Sequence, residues 1–160
     1  MIKCQFENGR ESSLRHVTVG VIAVKNNQIL LVKRSPKVIN PGKYAIPGGF
    51  MDRDETAAQA ALRELKEETG YSGKIKFILR VNDSPHRPQE DRQNVDFCFV
   101  AEISEKGNDF DKEEVEEVRW FNLNDLPPKD QFAFDHYENI QLYLQYIKNP
   151  SGFSLPIFNF

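Results

Sequence analysis

Cysteine is scarce. Cys4 and Cys98 are the only two among 160 residues and no CxxC pair occurs, which excludes a disulfide framework and a four-ligand zinc site. Cys98, inside VDFCFV, reads as a small buried hydrophobe. With no disulfide pattern the default compartment is the cytoplasm. Long hydrophobic runs are missing too. None approaches the roughly 18 residues of a membrane span, and the opening MIKCQFENGRES lacks the apolar core of a signal peptide. No membrane partner is expected. Nor is there a basic tract. The formal net charge is −3, so sequence-independent binding to nucleic acid is not expected either. A small anionic substrate remains compatible with that balance, because a metal can supply positive charge locally. Repeats and low-complexity tracts are absent. A chain of 160 residues suits one domain with a proper core: residues 1–160, with the core at about 17–148 and an apolar tail at 149–160.

What is present alternates between short β-rich runs and two helical patterns. HVTVGVIAV (16–24) and ILLVKRS (29–35) flank Asn26, Asn27 and Gln28, a hairpin signal. Residues 36–49 carry Pro41, Gly42, Pro47, Gly48 and Gly49 and read as a loop with tight turns. A helix follows, with Asp52 or Asp54 as its cap. Asp52 with Glu55 three residues on fits a capping box, and Gly70 suits the C-terminal end. Strands are expected at 75–82, 95–103 and 115–121, with polar loops at 83–92 and 104–114. Tyr137, Ile140, Leu144 and Ile147 repeat at helical spacing across 134–148. The order is not a βαβ alternation. It reads as an α/β fold with a mixed β-sheet packed between helices. The tail SGFSLPIFNF is too short to form a core, so it should dock on the domain or on a second subunit. A homodimer is the sharper expectation.

Residues 49–71, GFMDRDETAAQAALRELKEETGY, carry the chemistry. A helix turns about 100° per residue, which places Glu68 roughly 40° and Glu67 roughly −60° from Glu64. Three carboxylates share one arc. Ala58, Ala61, Leu62 and Leu65 form a separate apolar stripe that should face the core. Glu64 and Glu68 repel at i,i+4, and Glu67 adds to it. A hard divalent cation removes that penalty, since Mg2+ takes oxygen ligands from a few carboxylates and from substrate phosphates.

The same stretch resembles the signature of the Nudix hydrolases, G-x5-E-x7-R-E-U-x-E-E-x-G-U with U apolar. Gly49, Glu55, Arg63, Glu64, Leu65, Glu67, Glu68 and Gly70 match. Tyr71 stands where the family usually has an aliphatic residue. The resemblance implies an α/β/α sandwich over roughly 17–147. It implies Mg2+ or Mn2+ held by Glu64, Glu67 and Glu68, with the backbone carbonyl of Gly48 contributing. Arg63 would hold its glutamate neighbours by charge-assisted hydrogen bonds, and Glu55 is in reach to pair with it. The reaction implied is attack of water on a phosphorus of a nucleoside diphosphate derivative. Family members differ in their general base. Glu67 is the first candidate here, with Glu113 and Glu114 of the later loop behind it.

For the substrate, Arg34 precedes the glycine loop and could reach a phosphate. Arg87 and Arg92 flank a polar loop, where binding residues concentrate; each alone is more often a surface charge. Phe132-Ala133-Phe134-Asp135-His136 is similar to a segment of Nudix enzymes that hydrolyse ADP-ribose. Phe134 could stack on a base. Asp135 could accept a hydrogen from it, or simply cap the last helix. ADP-ribose or another nucleotide sugar is therefore the favoured substrate. A nucleoside triphosphate pyrophosphohydrolase that removes damaged nucleotides is the main alternative. A non-catalytic nucleotide sensor is the alternative of another class, disfavoured by the intact box and by the short stretch after the last helix. An mRNA decapping role is disfavoured by size and acidity.

Overall fold

Asn26 and Asn27 both take positive φ, 50° and 60°, as a type I′ turn requires. They fold strand β3 (His16–Lys25) antiparallel onto β4 (Gln28–Arg34), as the hairpin signal predicts. The computed structural model describes residues 1–89, 92–107 and 109–158. Ahead of β3, β1 (Ile2–Gln5) and β2 (Glu11–Leu14) form a separate two-stranded hairpin. After β4 come β5 (Tyr44–Ala45) and β6 (Gly48–Phe50), then α1 (Ala57–Thr69), β7 (Tyr71–Asn82), β8 (Asn94–Lys106), β9 (Val115–Asn122), α2 (His136–Lys148) and β10 (Ile157–Phe158).

The main sheet runs β10-β7-β8-β3-β4-β5, with β6 on β3 and β9 on β4. β3 lies parallel to β8, and β10 to β7. The other pairings are antiparallel, so the sheet is mixed. β3 is central and apolar on both faces. Val19, Val21 and Ala23 point to one side, where Ala60, Ala61 and Leu65 of α1 close the core. Ile22 points to the other, where it meets Leu31, Val100 and Ile140 of α2. The period of two in a strand sets which residue meets which helix, and the result is the α/β/α sandwich.

The cap of α1 differs from expectation. Thr56 is the N-cap and forms a reciprocal capping box with Gln59. Neither Asp52 nor Asp54 caps the helix. Two overlapping box patterns occur here. The first is half formed, with Glu55 Oε1 accepting from the Asp52 N–H at 2.7 Å while Arg63 binds the same carboxylate; the second is complete and starts the helix. Gly70 does end the helix, at φ 71°, with its N–H on the Lys66 carbonyl. A left-handed C-terminal residue favours glycine.

The apolar tail docks on its own chain. β10 adds to the sheet edge beside Arg80 and Val81 of β7. Leu155 packs into the α2-side core, and the Phe153 ring lies 6.1 Å from that of Tyr146. Of the two docking modes the sequence allows, the tail takes the one on its own domain. Phe160 lies outside the described residues, as do Glu90 and Asp91 of the 83–92 loop. Among the described residues no helix is long and apolar enough to cross a membrane.

Candidate active site

The site forms where β6 brings the glycine backbone against α1. β6 pairs with β3, setting Gly48 beside Gly20 and Phe50 beside Thr18. A Cβ on Gly48 would lie 2.1 Å from the Val19 carbonyl oxygen, and one on Gly49 2.6 Å from Glu64 Oε1. At Gly48, where the obstacle is backbone, only glycine allows this approach. The Gly48 N–H donates to Glu68 Oε2 at 2.9 Å. Gly48 thus meets the box helix through its N–H.

Arg63 fastens the loop to the helix. Its Nη2 and Nε donate to the two oxygens of Glu55, at 2.7 and 3.2 Å, and Nη2 also reaches the Phe50 carbonyl at 2.9 Å. Nη1 donates to Glu64 at 2.8 Å and to Glu67 at 3.0 Å. Glu55 first, then Glu64 and Glu67, hold the guanidinium far on the charged side. Glu64 and Glu68 are both buried. Burial raises the Glu64 carboxyl, against the pull of Arg63. It pushes Glu68 up to about 8, against the Gly48 N–H. Glu67 remains half exposed. As the side chains stand, no three acidic, histidine or cysteine residues among the described ones converge closely enough to hold an ion, because Arg63 draws Glu64 and Glu67 toward itself.

These groups line one end of a cavity of about 640 Å³. Of the residues singled out in the sequence, Arg34, Gly48, Arg63, Glu64, Glu67, Glu68, Arg87, Arg92, Glu114 and Phe134 all border it. Arg34 sits 5.3 Å from the centre of the Phe134 ring, and its charge is felt at Glu68. Phe134 takes φ 53°, a strained conformation for an aromatic residue that costs on the order of 1–3 kcal/mol and gathers at functional sites. Glu114 reaches the cavity because its carbonyl accepts from the Ser35 N–H at 2.9 Å.

Two expected residues stand apart. Glu113 turns to Lys37 at 2.5 Å on the surface. Asp135 is buried, does not border the cavity and makes no side-chain cap on α2. Its oxygens are taken by Arg87 Nη2 at 2.6 Å, Arg80 Nη1 at 3.1 Å and Asn82 Nδ2 at 2.7 Å. Burial alone would raise its carboxyl, but Arg87 foremost among the neighbouring cations holds it below the ordinary range. The side chain thus sits in a buried ionic junction and does not cap the helix.

Thr18, Phe50, Asp96, Asp111 and His136 also border the cavity, although no sequence pattern gives them a role there. His136 Nδ1 accepts from the Ile46 N–H at 3.2 Å. Burial pushes its pKa down to about 3, so the ring is neutral and carries its proton on Nε2. Asp96 had one available signal: it is an acid in the otherwise apolar strand VDFCFV.

A family profile for the NUDIX domain matches residues 14–143. The chain belongs to the NUDIX family. An ADP-ribose pyrophosphatase of Methanocaldococcus jannaschii is 36% identical over 131 residues, which cover 81% of this chain and 73% of that protein. The crystal structure of a NUDIX hydrolase from Nitrosomonas europaea matches with a TM-score of 0.68 at 26% identity, over 99% of this chain and 90% of that one. The NUDIX domain of Shewanella oneidensis NrtR, crystallised with ADP ribose, matches with a TM-score of 0.68 at 26% identity, over 85% and 90%. Family, fold and intact box make this protein a Nudix hydrolase, a pyrophosphohydrolase acting on phosphoanhydride bonds.

Proposed function

We propose that this Nudix hydrolase cleaves the diphosphate of ADP-ribose or a closely similar nucleotide sugar, with Mg2+ or Mn2+ as cofactor. The observation that carries the proposal is the pair of buried carboxylates, Glu64 and Glu68, laid against glycine backbone at one end of a cavity that bears Arg34 and Arg92 beyond them. Buried acids this close cannot both ionise cheaply without a cation. Their donor set, carboxylate oxygen, is the one a hard divalent ion takes. Glu64, Glu68 and a swung Glu67 would hold it. When bound, such a metal lowers the pKa of water and neutralises phosphate charge.

The chain's own groups supply the rest. Arg63 fixes the glutamates. Arg34, near Glu68, offers a phosphate contact. Arg92 lies 5.3 Å from the Phe50 ring centre and suits the far part of the substrate. Arg87 is already compensated by Asp135 and Asp96, which makes it a wall of the site more than a phosphate ligand. For the general base, what supports Glu114 over Glu67 is that Glu114 borders the cavity with no ion pair to a described residue, whereas Glu67 shares Arg63 with Glu64. Glu113 faces away. The acidic limb of the pH–rate profile should vanish in Glu114→Gln and persist in Glu67→Gln; the reverse result returns the role to Glu67.

One domain, residues 1–160 with its core at 17–148, carries this activity, and a cytoplasmic setting suits its two free thiols. The substrate reading is tested by kcat/KM on a panel of ADP-ribose, UDP-glucose and dGTP with Mg2+. ADP-ribose should lead. A dGTP value tenfold above it would move the protein to the nucleotide-sanitising class, and binding of ADP-ribose without turnover would make it a sensor.

A further inference from the structure

One wall of the cavity is a row of three side chains on adjacent strands. Phe50 on β6 and Asp96 on β8 are both direct partners of Thr18 on β3, so all three project from the same face of the sheet. Asp96 is 5% exposed and borders the cavity. Thr18 Oγ1 donates to its Oδ1 at 2.7 Å, and Arg87 Nη1 lies 3.8 Å from that same oxygen. The other oxygen, Oδ2, makes no hydrogen bond to any described residue. With one oxygen engaged, this cavity-bordering carboxylate keeps a second acceptor for a donor placed in the cavity.

Strand geometry sets how far this oxygen lies from the reacting centre. Asp96 is two strands across and two residues along from Gly48, which places their Cα atoms roughly 12 Å apart. The edge of a base beyond a pentose whose phosphate rested near Gly48 would fall within that span. The neighbouring surface suits a base as well. The Phe50 ring is 40% exposed, with the Arg92 guanidinium and the His16 ring beside it at 5.3 and 5.1 Å. Aromatic and guanidinium planes accept any base by stacking, so the discrimination must come from a hydrogen-bonding group.

We propose that Asp96 is a specificity-determining residue, its Oδ2 accepting a hydrogen bond from the exocyclic amino group of an adenine stacked along Phe50. This rests on the reading that the substrate is an ADP-linked diphosphate. Thr18 and Arg87 fix the carboxylate so that Oδ2 stays presented. A base with a carbonyl in place of the amino group sets acceptor against acceptor and is turned away.

The test compares kcat/KM for ADP-ribose and for its hypoxanthine counterpart, IDP-ribose, in wild type and Asp96→Asn with Mg2+. Wild type should favour ADP-ribose by about tenfold or more, since a site built to bond a donor strongly rejects the analogue lacking it. Asp96→Asn, whose amide both donates and accepts, should bring the ratio near one or invert it. The ratio is insensitive to a general loss of active protein. A wild-type ratio near one overturns the inference while leaving the ADP-linked reading intact, and so does an unchanged ratio in folded Asp96→Asn. If the variant does not fold, the wild-type ratio decides alone. Wild type that cleaves neither compound removes the ADP-linked reading and the inference with it.

Discussion

Glu68 is a carboxyl group that the fold buries against the glycine loop. Burial raises it to about 8 from an ordinary 4.5. The folded metal-free protein then keeps a proton there that the unfolded chain releases above pH 4.5. This contribution to stability is fully present below pH 4.5 and is lost as the pH rises through about 8. His136 runs the other way. Burial holds it near 3 against an ordinary 6.5, so its contribution is present above pH 6.5 and lost as the pH falls toward 3. Replacing Glu68 by Gln removes only the first effect. With a chelator present, the Tm of Glu68→Gln should therefore rise relative to wild type between about pH 5 and about pH 8. A difference that stays flat across that range contradicts the burial argument. Added Mg2+ should raise the Tm of wild type by mass action and scarcely move that of the variant.

At the scale of elements, Asp135 joins parts of the chain that no local pattern connects. It binds Arg80 and Asn82 of β7 and Arg87 of the following loop; Arg80 in turn reaches Asn139 of α2 at 2.5 Å. Asp135→Asn leaves two buried guanidinium groups short of charge. Breaking such a junction costs about 3–5 kcal/mol, so the denaturant midpoint should fall with an unchanged slope. An unchanged midpoint with a tenfold drop in kcat/KM would restore the base-reading role that the sequence suggested for Asp135. The same contrast explains what the sequence made legible. The box was readable because Arg63, Glu64, Glu67 and Glu68 act within two turns of one helix, and spacing alone sets their relation. The β3–β4 hairpin was readable because Asn26 and Asn27 dictate their own turn. Asp135 and Asp96 were misread or missed because their partners lie far along the chain. Thr18 meets Asp96 only through the parallel pairing of β3 with β8. The α1 cap was ambiguous because two box patterns, Asp52–Glu55 and Thr56–Gln59, overlap within eight residues.

On the scale of the whole molecule, the tail extends the sheet edge and closes the α2-side core. A chain ending at Asn149 loses the β10–β7 pairing and exposes the surface that Leu155 and Phe153 cover. Burying one such side chain contributes about 1.5–3 kcal/mol. The truncated protein should unfold at lower denaturant, by an amount of that order, while its sedimentation coefficient reports the same oligomeric state as the full chain. A change of state on truncation would show that the tail joins subunits as well.

The central claim is that Glu64 and Glu68 mark a divalent-metal site that hydrolyses a nucleoside diphosphate linkage. It is tested most directly by following ADP-ribose with Mg2+ and identifying the products, before and after chelation. The account predicts AMP and ribose 5-phosphate in equal amounts, abolished by the chelator and restored by excess Mg2+. Cleavage that persists at full rate without metal, or intact ADP-ribose in the presence of metal and active enzyme, would contradict it.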